Sequence, residues 1–73
     1  MKKTLNIFFH YDEETSVWIA ESDDVPGLAL ESGSLNALTE RVKMAVPELL
    51  ELNGINDKII LSLNSTREIA AYG

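Results

Sequence analysis

Apolar and polar residues alternate along residues 4–11. Leu5, Ile7, Phe9 and Tyr11 fall on one side of an extended chain, and Thr4, Asn6, Phe8 and His10 on the other. A period of two with aromatic members predicts a strand. Residues 16–22 alternate again, with Val17 and Ile19 on one side and Trp18 and Ala20 on the other. The polar stretch Asp12-Glu13-Glu14-Thr15 between them is short, which makes the pair an antiparallel hairpin. Asp23-Asp24-Val25-Pro26-Gly27 is the next break. Pro26 offers no N–H donor and Gly27 accepts positive φ, a combination suited to a tight turn. Leu28 to Glu31 then predict a short third strand.

A helical period follows. Ser34 is placed to cap an orphan N–H of the first turn. Leu35, Leu38, Val42, Ala45, Leu49 and Leu52 recur at steps of three and four and form one apolar stripe, while Asn36, Thr39, Glu40 and Lys43 face away. Pro47 deletes the bond to the carbonyl of Lys43, so a bent helix or two abutting helices are expected. Asn53-Gly54 is a C-terminal stop. Ile59, Leu61 and Leu63 alternate with Ile60, Ser62 and Asn64 in a fourth strand, and Thr66 to Gly73 either prolong it or fray.

The predicted fold is therefore α+β with element order β-β-β-α-β: a three-stranded meander, one helix on one face, and a last strand returning through a right-handed crossover. Parity places Leu5, Ile7, Phe9, Val17, Ile19, Ile59, Leu61 and Leu63 under the helix. One helix covers one face only, so Phe8, His10, Trp18, Ala20 and Ile60 are expected on the uncovered face.

Composition narrows what such a domain does. Its 73 residues make one domain, and a chain this short buries only about 60% of its unfolded surface. Domains of this size usually add a staple. There are no cysteines and one histidine, which excludes disulfides, thiolate metal sites and an all-histidine zinc site. A partner chain is left as the staple, so a homo-oligomer is expected. The apolar run near the N-terminus is too short for a signal segment or a membrane span, and the lack of cysteine suits a reducing compartment. A cytoplasmic location away from the membrane is the expectation.

The net charge is −6, which disfavours direct binding to nucleic acid. No lysine or arginine lies between Lys3 and Arg41, a stretch that holds eight acids. This one-sign surface either keeps the domain soluble or docks a basic partner. Asp12-Glu13-Glu14 and Asp23-Asp24 lie in predicted turns without the spacing of a metal loop, and His10 has no Ser, Cys or Asp placed to form a relay with it. No cofactor, metal or enzymatic activity is expected. Trp18 and Phe8 on the uncovered face mark an interface, unless Trp18 packs over its cross-strand neighbours. The candidate partner-binding set is Phe8, His10, Trp18, Ala20, Glu21, Asp23 and Asp24.

Val17-Trp18-Ile19-Ala20-Glu21-Ser22, then Asp23-Asp24-Val25-Pro26-Gly27-Leu28, then the capped helix ending Pro47-Glu48-Leu49-Leu50-Glu51-Leu52-Asn53-Gly54, together resemble the HicB-like antitoxin domain in its short form. The resemblance covers most of the chain. It implies a partial RNase-H-like fold with sheet order 3-2-1-4, without nuclease activity. It also implies binding to a small HicA-type toxin that cleaves mRNA. Many HicB-like antitoxins carry a C-terminal DNA-binding domain; a single domain over 1–73 without one is expected here. The alternative function is a homo-oligomeric scaffold or small-ligand domain without a toxin, held through the Trp18 face or a sheet edge.

Overall fold

In a computed structural model that describes residues 2–54, 58–67 and 71, five elements follow the expected order. They are β1 (Lys2–Asp12), β2 (Val17–Glu21), β3 (Ala29–Ser32), α1 (Leu35–Leu52) and β4 (Lys58–Thr66). The four strands make one mixed sheet in the order β3-β2-β1-β4. β1 and β2 are antiparallel, as are β2 and β3, while β4 runs parallel to β1. The architecture is the expected α+β arrangement, with one helix against a four-stranded sheet. Residues 68–70, 72 and 73, expected to prolong the last strand or fray, lie outside the described residues.

Local chemistry fixes the breaks. Ser16 N–H donates to the carbonyl of Asp12 at 2.8 Å, and Ser16 takes a φ of 57° to close the first hairpin. Leu28 N–H donates to the carbonyl of Val25 at 3.2 Å. With Gly27 at φ 86°, Val25-Pro26-Gly27-Leu28 has the Pro-Gly pattern of a type II turn. The turn sends both of its ends inward, so that Val25 and Leu28 are buried.

Ser34 caps α1 as expected: its backbone is extended and its hydroxyl accepts from Ala37 N–H at 3.2 Å. Asn53 closes the other end, with its side-chain amide donating to the carbonyl of Leu49 at 2.8 Å. Of the two forms expected around Pro47, a single helix is found, running unbroken from Leu35 to Leu52. Pro47 is exposed, so the lost backbone bond costs the core no packing.

The buried stripe is rotated relative to expectation. Leu38, Val42, Val46 and Leu50 are buried, flanked by the partly buried Leu35, Ala45 and Leu49. Leu52 is 83% exposed, because at 100° per residue it sits about 100° from the centre of that arc. Against the stripe pack Leu5, Ile7 and Phe9 of β1, Ala20 of β2, and Val25 and Leu28 of the turn.

Strand register corrects the expected faces of β2. Phe9 lies opposite Ala20 and Tyr11 opposite Trp18, and directly opposed residues point to the same face. Trp18 and Ala20 are therefore under the helix, and Val17, Ile19 and Glu21 are on the uncovered face. Ala20 is fully buried, and Trp18 packs against the core. The loop of β1–β2 sets this outcome. Asp12 pairs with Val17, which leaves four residues between them and joins even positions on β1 to odd positions on β2. A loop one residue shorter or longer gives the opposite faces.

Candidate functional site

The face of the sheet away from α1 is built by register. Phe8 lies opposite Glu21, and His10 opposite Ile19. Glu21 in turn faces Ala29, and Ile19 faces Glu31. Phe8 and Ile19 are thus diagonal neighbours at the centre, with Glu21 and Glu31 beside them. Phe8 is 48% exposed. Ordinary strand pairing leaves such a ring half out of water on a one-helix sheet, and among the described residues no second layer receives it. His10 Nε2 lies 3.3 Å from Glu21 Oε1; both side chains are exposed, so the contact contributes little to stability.

Beside Phe8 the surface dips. Phe8, Glu21, Ser22, Asp23 and Leu28 line a depression of 390 Å³. Its walls combine an aromatic ring, an aliphatic side chain and two carboxylates. With no lysine or arginine between Lys3 and Arg41, the part of this face around Phe8, Ile19, Glu21 and Glu31 offers apolar contact and negative charge. The surface is complementary to a basic, partly apolar partner.

The seven candidate residues divide three ways. Phe8, His10, Glu21 and Asp23 come together on this face or at its border. Trp18 and Ala20 lie on the opposite face. Trp18 instead meets Tyr11 edge to face, with ring centroids 5.3 Å apart, and the guanidinium of Arg67 covers the Tyr11 ring at 4.0 Å. Asp24 is a structural residue. The β1–β2 ladder ends at Phe8 and Glu21, leaving Asn6 without a strand neighbour on that side. Asp24 Oδ2 accepts from Asn6 N–H at 2.8 Å, and Ser22 Oγ donates to the carbonyl of Asn6. Ser22 Oγ also accepts from Asp24 N–H at 3.0 Å. Two side chains replace the backbone of the departed strand.

Ile19 and Glu31 were missed as members of the face. The readable signal was Glu21, which shares parity with Val17 and Ile19. Putting those two under the helix would carry a carboxylate there as well.

A family model described as a domain of unknown function, DUF1902, matches residues 4–70. The chain belongs to the DUF1902 family. Its fold is similar to the crystal structure of the hypothetical protein TTHA1013 from the extremely thermophilic bacterium Thermus thermophilus. The two are 44% identical with a TM-score of 0.81, over 94% of this chain and 100% of that one. No curated protein matches the chain. The DUF1902 match runs from β1 past β4, so it includes Phe8, His10, Ile19, Glu21, Asp23 and Glu31 of the uncovered face and its border. Among the described residues of this DUF1902 domain, no group of three or more His, Cys, Asp or Glu is placed to hold a metal ion, and no helix is long and apolar enough to cross a membrane.

Proposed function

We propose that this DUF1902 domain is a protein-binding module of the HicB-like kind, which neutralises a small basic RNA-cleaving toxin by covering it. The observation that carries the reading is the uncovered face: Phe8 and Ile19 at its centre, Glu21 and Glu31 beside them, and Asp23 at its border. A toxin that grips RNA must present positive charge. An acidic face draws such a surface in quickly, and a desolvated aromatic at the centre then holds it. The sequence resemblance to HicB-like antitoxins supports the same partner class. Binding requires no chemistry from this chain: occupying the toxin's RNA-binding surface excludes the substrate.

Co-expression with a basic HicA-type reading frame adjacent to its gene, followed by affinity capture, tests the reading. The expected result is a stoichiometric complex that Glu21→Lys weakens at least tenfold and that high salt weakens further. A folded toxin of this type that shows no binding at micromolar concentration overturns it.

A further inference from the structure

We propose that a second copy of this chain adds to the open edge of β4, antiparallel, about a two-fold axis at Leu61, making one continuous eight-stranded sheet. This surface is separate from the acid-rimmed face and independent of what that face binds.

The two edges of the sheet differ in kind. β3 is four residues long, contains Glu31 and runs into Gly33; a short, charged edge resists pairing. β4 is nine residues long, Lys58-Ile-Ile-Leu-Ser-Leu-Asn-Ser-Thr66, well above the usual strand length of about 5–6 residues. It has no proline and no acid, and Lys58 at its start is its only charge. Among the described residues no strand pairs with its outer side. Its side chains are also incompletely covered: Leu63 is 43% exposed on the helix side and Ile60 45% exposed on the other.

Charge selects the occupant. Each chain carries −6, so two copies repel wherever their carboxylates meet. β4 has no carboxylate, which makes it the strand along which two copies approach at least cost. A basic partner finds no counter-charge there, and an acidic one finds only Lys58.

The sequence of β4 is self-complementary about Leu61. Antiparallel pairing centred there sets Leu61 against Leu61, and Ile59 against Leu63 of the second copy. All three helix-side apolar residues of each strand then meet apolar residues. Ile60 faces Ser62, and Lys58 faces Asn64. The arrangement is isologous, as a two-fold dimer requires. It also supplies the staple that a cysteine-free chain of this size lacks.

The absence of native cysteine makes the register testable. Across the axis the two Leu61 Cα atoms lie about 4.5–5.5 Å apart, inside the roughly 4.4–6.8 Å range of a disulfide. Leu61→Cys should oxidise to a covalent dimer without denaturant. Asn64→Cys, whose two copies lie far apart along the strands, should not. Sedimentation of the unmodified chain at about 100 µM should give twice the 8.1 kDa chain mass. Ile60→Lys sets two like charges near one another across the axis and should give a folded monomer by circular dichroism. Glu21→Lys should leave the dimer intact, which separates this surface from the partner-binding one. A monomer at that concentration, a dimer that persists in Ile60→Lys, or equal cross-linking of the two cysteine variants overturns the proposal.

Discussion

Replacing Trp18 by alanine separates a core role from an interface role. Trp18 is half-buried beneath α1 and meets Tyr11 edge to face at 5.3 Å. Truncating a fully buried tryptophan or phenylalanine costs about 3–5 kcal/mol. Partial exposure lowers that figure, and the lost aromatic pair, worth about 0.5–1.5 kcal/mol, restores part of it. The expected loss is about 3 kcal/mol. A domain of this length has only about 4–11 kcal/mol in total, so the midpoint temperature should fall by about 12–24 °C. Phe8, 48% exposed on the other face, is the control. Phe8→Thr keeps a strand-favouring residue and should cost about 1 kcal/mol or less, while removing the centre of the proposed binding face. Urea unfolding followed by far-ultraviolet circular dichroism is the assay, because Trp18 is the only tryptophan and its removal abolishes the tryptophan fluorescence signal. If Trp18→Ala keeps its full stability while Phe8→Thr loses more than about 2 kcal/mol, the β1–β2 register, and the face built on it, would be refuted.

Four further substitutions probe this face and the parts that support it. Ala20→Leu pushes a larger side chain into a fully buried site opposite Phe9 and Leu30, and thermal melting should show a loss of about 1–3 kcal/mol. Asp24→Ala removes the acceptor for Asn6 N–H and should cost about 1 kcal/mol, with faster amide exchange at Asn6 by NMR, whereas Asp23→Ala should stay within about 0.5 kcal/mol. Gly27→Ala meets a φ of 86° and the Leu49 side chain at 3.6 Å; strain in the left-handed region should cost about 1–2 kcal/mol, read as a lower urea midpoint at unchanged slope.

The elements, their order and the helix caps were legible in the sequence because they depend on near neighbours. Alternation in residues 4–11, the Ser34 hydroxyl three residues ahead of Ala37 N–H, and the Pro26-Gly27 turn act within a few positions of the chain. The sheet order followed from a resemblance to a known family. Which side of β2 faces the helix was decided by tertiary structure, because parity inside a strand says nothing about its phase relative to the next. That phase depends on four loop residues and on Ser16 adopting a left-handed φ, and it turned Trp18 and Ala20 inward and Ile19 outward. The helix stripe shows the same division. A repeat of three and four nominated Leu52, but where the helix axis lies over the sheet selected Val46 and left Leu52 in water. In the sequence Asp24 reads, like Asp23, as an acid of the candidate partner-binding set. Only the departure of the chain from β2 leaves Asn6 without a partner and gives that carboxylate a backbone amide to hold. Local propensity acts along the chain, whereas burial depends on how separate segments meet in space.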